Sequence, residues 1–216
     1  YTLTVDTTPL TEVRAIRYAS DFSGIDAVAM QLRHIQRYSN GPAVEHIFAS
    51  EQNPVAQAFL RRNFGEMFPL YDDVMCRPIP TTRLHLYTSG PPCQPWSHSG
   101  IHGGDDDVRS DCYLQVVKWV IELANRCCLK AYFIENGTGI MEIQSGSHKS
   151  FAEHILEVLS TALPFFKHGF VPVNPSSIVP VRRLRVWLRG VRADMLQADD
   201  RVCTIPSPLS SLGIAA

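Results

Sequence analysis

Short apolar runs alternate with longer stretches of helical spacing along most of this chain. Ala15-Ile16-Arg17-Tyr18-Ala19-Ser20 reads as a first strand, and Ile25, Val28, Ala29, Leu32 and Ile35 then recur at helical spacing. The runs Val44–Ser50, Leu84–Thr88 and Ala131–Ile134 predict further buried strands, and a third strand ends near Tyr71. Helices are predicted over Pro54–Asn63, over a stretch with Tyr113, Val116, Val117, Val120, Leu123 and Ala124 on one face, and over Phe151–Leu163, which stops at Pro164. Gly169–Val173 and Leu184–Val191 predict two last strands. Strands and helices in alternation give an α/β fold: a doubly wound, mostly parallel sheet with helices on both faces. Residues 1–14 form an irregular lead-in, 15–193 the domain and 194–216 a less patterned tail.

Composition narrows this picture little. The chain has 216 residues, 45% of them hydrophobic, and a mean hydropathy of -0.04, as expected of a soluble protein. No apolar run reaches membrane-spanning length and no signal-peptide pattern opens the chain, so an intracellular protein is expected. A chain that starts at Tyr1 is expected to be trimmed or a fragment. Six cysteines without a Cys-x-x-Cys pair argue against a zinc site or a disulfide framework, and no metal is expected. A net charge of -1 supplies no global field for nucleic acid. Arg182, Arg183, Arg185, Arg189 and Arg192 still cluster late in the chain, as a phosphate-facing patch or a solvated strand edge.

Chemistry concentrates where strands end. Gly90-Pro91-Pro92-Cys93-Gln94-Pro95 places a cysteine on a proline-stiffened loop just past a strand, where open α/β sheets hold their ligands. An inert, half-buried thiol is the plainer alternative. Asp21-Phe22-Ser23-Gly24-Ile25-Asp26 joins the first strand to its helix, a place where backbone approaches a ligand at a helix N-terminus. Glu51 closes the second strand, placed either to accept from ribose hydroxyls or to serve the start of the next helix. Glu135-Asn136-Gly137 ends another strand in a carboxylate and a glycine turn. The glycine- and aspartate-rich stretch 100–110 suits a lid or a plain surface loop.

Pro-Cys-Gln after Gly-Pro, the Glu-Asn-x-x-Gly turn and the Arg-x-Arg strand entry, in this order over residues 15–190, resemble the DNA (cytosine-5)-methyltransferase family. The resemblance implies an S-adenosylmethionine-dependent enzyme acting on cytosine in duplex DNA, placed in the nucleus of a eukaryote or the cytoplasm or nucleoid of a bacterium. Cys93 would be the nucleophile that adds to C6, making C5 electron-rich. A helix N-terminus or a nearby arginine would favour its thiolate. Glu135, held neutral by partial desolvation, would serve N3 of a flipped-out base, and Arg183 and Arg185 would contact the base or its phosphate. Phe22 would pack on adenine, Gly24 would admit the methionine moiety, Glu51 would bind ribose and Asp73 the adenine amino group. Ser23, Ile25, Gln52, Val74 and Pro91 complete the implied cofactor contacts, and Gln94, Ser97 and Asn136 position the substrate.

Four departures from the family pattern stand out. Asp26 replaces the second glycine of the cofactor loop, Gly137 a valine and Val181 the glutamine before Arg-x-Arg. The target-recognition region has no counterpart in these residues. A catalytically impaired module that binds cofactor or a partner is the alternative these departures motivate, and methylation of RNA by the same fold is a third.

Overall fold

The computed structural model describes residues 15–39, 41–66, 68–93, 110–143, 148–174 and 183–196. Strand β1 (Ala15–Asp21) leads to helix α1 (Ala27–Tyr38), then β2 (Ala43–Ser50), α2 (Pro54–Phe64) and a two-residue β3 (Leu70–Tyr71). Next come β4 (Leu86–Ser89), α3 (Ser110–Arg126), β5 (Ala131–Asn136), α4 (Phe151–Ala162), β6 (Phe166–Val173) and β7 (Arg185–Arg192). The sheet order is β3-β2-β1-β4-β5-β7-β6. Neighbours from β3 to β5 are parallel, and β7 runs antiparallel between β5 and β6. This is the expected doubly wound sheet with one reversed strand.

Strand alternation sets the two faces. Tyr18, Ala49 and Leu86 pack with Ala29 of α1 and Leu60 and Phe64 of α2. Their neighbours Ala19, Phe48 and Tyr87 point the opposite way, into the larger core under α3 and α4. The stripe predicted on α3 is buried as a whole. Start signals are equally plain: Asn53 caps α2 with Pro54 in its first turn, and Ser150 and Glu153 form a reciprocal capping box on α4. Two stripe members expected inside are not. Ile25 precedes α1 and is 52% exposed, and Ile35 is 47% exposed, because only Val28, Ala29 and Leu32 face β1 and β2.

Gly190 of β7 opposes Tyr132 of β5, and a Cβ there would lie 2.2 Å from the ring's Cε1. The ring is held by a hydrogen bond between its hydroxyl and His168 Nδ1 at 2.7 Å, so it has no free direction in which to yield. Gly190→Ala is expected to cost about 1–3 kcal/mol through overpacking, read as a lower urea midpoint at unchanged slope.

Candidate active site

The carboxyl ends of β1, β2, β3, β4 and β5 share one edge of the sheet, and antiparallel β7 brings its first residue, Arg185, to that edge. Two cavities open there. One, of about 440 Å³, is lined by Phe22, Asp26, Ser89, Gly90, Glu135, Arg183, Arg185 and Trp187, among others. The other, of about 420 Å³, is lined by Phe22, Ser50, Glu51, Gln52, Asp72, Asp73, Val74, Met75, Pro92 and Cys112. Phe22 borders both, and the β4 loop contributes Gly90 to the first and Pro92 to the second.

The loop after β1 is tightly wound. Phe22, Gly24 and Asp26 all have positive φ, at 52°, 54° and 50°. A bulky aromatic there is strained, and strain of this kind gathers where a side chain must point at a ligand. Ser23 N–H and its hydroxyl both donate to the Ser50 carbonyl, at 3.0 and 3.1 Å. Glu51 braces the same loop: Oε2 accepts from Gly24 N at 2.7 Å and Oε1 from Asn53 N at 2.8 Å. Glu51 thus lines a cavity and also tethers the segment before α2. Each oxygen keeps a further acceptor site for a hydroxyl.

Asp26 departs from expectation. Its carboxylate turns into the protein, 3% exposed, and does not lie open in the loop. Oδ1 accepts from Tyr18 Oη at 2.6 Å and from Ala29 N at 3.1 Å, capping α1, and Oδ2 accepts from Ser20 Oγ at 2.6 Å. The start of α1 is thus occupied by a side chain of the protein itself, so the helix N-terminus is no vacant anion site. His46 Nε2 lies 3.5 Å from Oδ2, with its ring stacked on Phe68 at 4.1 Å. Burial pushes the His46 pKa down from 6.5 to about 4, with Asp26 opposing the shift. Folding therefore favours neutral His46: its stabilisation is complete above pH 6.5 and is lost as pH falls towards 4, where only the unfolded chain has already taken up the proton. The loss is about 3 kcal/mol. Urea titrations across this window are expected to show that dependence, flattened in His46→Phe.

Cys93 ends the described part of its loop, half-buried. The loop is pinned to β5: Asn136 Nδ2 donates to the Pro91 carbonyl at 3.3 Å, and Asn136 Oδ1 accepts from Gly137 N at 2.8 Å. A Cβ on Gly137 would come within 3.6 Å of Cys93 Cβ, so the turn passes directly beside the thiol-bearing carbon. Glu135 is paired with one of the two arginines expected beside it: Arg185 Nε lies 2.7 Å from its Oε1. The pair forms because β7 runs antiparallel to β5 and starts beside the strand's acidic end.

Of the other residues singled out in the sequence, Gln52 and Val74 line the second cavity and Arg183 and Ser23 the first. Asp73 lines the second cavity while its Oδ1 accepts from Met75 N at 2.8 Å. Ile25 lines neither cavity and points to solvent, and Pro91 is buried and touches the site through its carbonyl. Gln94, Ser97 and Val181 lie outside the described residues. Trp187 was not foreseen, although it follows Arg185 by two positions on a strand and so shares its face. Nor was Arg77, whose side chain is fully buried against Asp21.

The second cavity suits a nucleoside: the carboxylates of Glu51, Asp72 and Asp73 to accept from hydroxyl and amino groups, and Phe22, Val74 and Pro92 as apolar walls. Among the described residues no group of three or more His, Cys, Asp or Glu is arranged to hold a metal ion, and no helix is long and apolar enough to cross a membrane.

Comparison with known proteins identifies relatives of this chain. The family model for C-5 cytosine-specific DNA methylase matches residues 16–207. The type II methyltransferase M.HpaII of Haemophilus parainfluenzae is 31% identical over 149 residues, 67% of this chain and 39% of that protein. M.PspPI of Psychrobacter sp. is 28% identical over 169 residues, covering 75% of this chain and 37% of the relative. The chain thus spans about two fifths of the length of these curated relatives. Among solved structures, Spodoptera frugiperda DNMT2 aligns with 86% of this chain and 53% of its own, at TM-score 0.59 and 21% identity. S. pombe Dnmt2 aligns equally well, at TM-score 0.59 and 18% identity over 86% of this chain and 51% of its own. At these identities the structural likeness concerns the fold alone.

Proposed function

Because the chain belongs to the C-5 cytosine-specific DNA methylase family, we propose that it carries an S-adenosylmethionine-dependent catalytic core, residues 15–193, that methylates cytosine C5 in DNA. The observation that carries this reading is the junction of Pro91–Cys93, Glu135–Gly137 and Arg185 at one sheet edge, beside a cavity fitted to a nucleoside.

Each residue has a task in that chemistry. The Cys93 thiolate adds to C6 of a base turned out of the duplex, and the electrons of the C5–C6 bond move towards N3 and O2. Glu135 and the guanidinium it holds face the base's polar edge, where that charge develops, with Arg183 at the same cavity. S-adenosylmethionine, when bound, supplies the methyl group that C5 takes. Loss of the C5 proton to a base then lets the C6–S bond break, returning the thiol and the aromatic ring. Glu51 accepts from the ribose hydroxyls, Asp73 from the adenine amino group, and Phe22 covers the adenine face. Gly90 lines the first cavity and Pro92 the second, so the Cys93 loop borders both.

The test is methyl transfer from labelled S-adenosylmethionine to a cytosine-containing DNA duplex and to RNA of the same sequence, with the product base identified by mass spectrometry. 5-methylcytosine in the DNA is the expected product. Label in RNA alone would replace the substrate class, and cofactor binding without transfer would make the chain a binding module.

A further inference from the structure

Helices α1 and α2 both end at the amino ends of the strands, the sheet edge opposite the two cavities. Arg33 joins their ends: its Nη1 donates to the Asn63 carbonyl at 3.0 Å, and its guanidinium lies 4.5 Å from the Phe64 ring centroid. Arg61 is committed in a similar way, to the Phe68 carbonyl at 3.1 Å and to Glu66 at 3.2 Å. Arg37 and Arg62 are not. Both are exposed in the last turns of their helices, and among the described residues neither is paired with a carboxylate or a carbonyl. Arg37 stands one helical turn from Arg33, and burial together with that like charge lowers the Arg33 pKa. These helix ends thus gather guanidinium groups in a chain whose net charge is only -1.

The helix dipole accounts for a cation near a helix C-terminus, but not for what stands beside Arg37. Tyr38 is 75% exposed, and its ring meets that of His34, also exposed, with 4.5 Å between centroids. The two rings lie one turn apart on α1, beside the row formed by Arg33 and Arg37. Guanidinium groups suit phosphate oxygens, and an open aromatic ring can stack on any base. Acidic side chains would use the cations and leave the rings idle. Bases inside a duplex have no free face to lay on them.

We propose that the C-terminal turns of α1 and α2 form a second nucleic-acid contact, specific for an unpaired strand, with Arg37 and Arg62 on its phosphates and the Tyr38 ring against a base. The contact goes beyond the methyltransferase reading and does not depend on it, because it lies across the sheet from both cavities.

The experiment measures binding of a fluorescent oligothymidylate of about twelve nucleotides by anisotropy over a range of salt concentrations. The intact chain is compared with Arg37→Gln/Arg62→Gln, with Tyr38→Ala and Tyr38→Phe, and with Lys118→Gln/Lys167→Gln. The last pair removes the same charge from exposed positions on α3 and on the edge strand β6. The arginine pair is expected to weaken binding about tenfold and to reduce the salt slope by about 1.4. Tyr38→Ala is expected to weaken it about tenfold at unchanged slope, with Tyr38→Phe close to the intact chain and a duplex of the same length indifferent to either. Equal weakening by the lysine pair, or no effect of the arginine pair or of Tyr38→Ala, would overturn the proposal. So would an oligoglutamate that binds as tightly as the strand and is lost with the same arginines, since it would assign the surface to an acidic protein. All these ratios come from binding alone, so a failure of the methyltransferase reading would leave them standing.

Discussion

Replacing Cys93 by alanine is expected to abolish methyl transfer, by about 10³-fold or more, while leaving affinity for S-adenosylmethionine unchanged. Cytosine C5 is too weak a nucleophile to take a methyl group unaided, and only addition at C6 loads it with electron density. No other side chain can replace the thiol in that step, so the loss falls on kcat. Binding is spared because Cys93 lines neither cavity, whereas its neighbours Gly90 and Pro92 line one each. Single-turnover transfer and calorimetric titration of the cofactor, made on the same preparation, check both halves of the expectation.

The second large effect concerns stability. Arg77 and Asp21 are both inaccessible, joined by Nη2 to Oδ2 at 2.6 Å and by Nε to both carboxylate oxygens at 2.8 and 3.0 Å. Ser50 Oγ and Tyr87 Oη each donate to the same carboxylate at 2.6 Å, so its acceptor sites are filled. The guanidinium lies between the Phe48 and Trp119 rings, 4.3 and 4.2 Å from their centroids. Arg77→Met is therefore expected to cost about 3–5 kcal/mol, because it strands a buried carboxylate. The melting temperature is expected to fall by about 10 °C or more. Arg77→Lys recovers little, since an ammonium cannot fill a bidentate, stacked site. Adding Asp21→Asn to Arg77→Met removes the stranded charge and is expected to restore part of the loss, a coupling that differential scanning calorimetry resolves.

Arg77 also bears on the site. It follows Asp73 and Val74 in the chain, and Trp119 Nε1 donates to the Val74 carbonyl at 2.9 Å. The buried pair thus ties the segment with the adenine-side carboxylate to the end of β1, one residue before Phe22.

Much of this was legible in the sequence because it is local. The α3 stripe is apolar at helical spacing and is buried as read; the edges of β1, β2 and β5 follow from short apolar runs that end in acidic residues. Asn53-Pro54 and Ser150-x-x-Glu153 announce their helices outright. What escaped depends on partners far apart in sequence. Nothing in Cys76-Arg77-Pro78 marks an arginine bound for the core, since the carboxylate that takes it there is 56 residues away. The pairing of Glu135 with Arg185 depends on β7 entering the sheet reversed, which periodicity does not encode. Asp26 reads in sequence only as a carboxylate in place of a loop glycine, because a left-handed backbone that swings it inward has no compositional mark. The two-residue β3 carries no periodic signal, and its end at Tyr71 is read from the acidic turn that follows it.

The most direct measurement is mechanism-based trapping. The chain is incubated with S-adenosylmethionine and a DNA duplex carrying 5-fluorocytosine, beside Cys93→Ser. Fluorine at C5 cannot leave as a proton does, so elimination stops and the enzyme stays joined to the base. The account predicts a denaturation-resistant adduct that requires both the cofactor and Cys93, mapped by mass spectrometry to that residue. Methyl transfer to ordinary duplex DNA with no adduct on the fluorinated one, or an adduct that forms equally with Cys93→Ser, would contradict it.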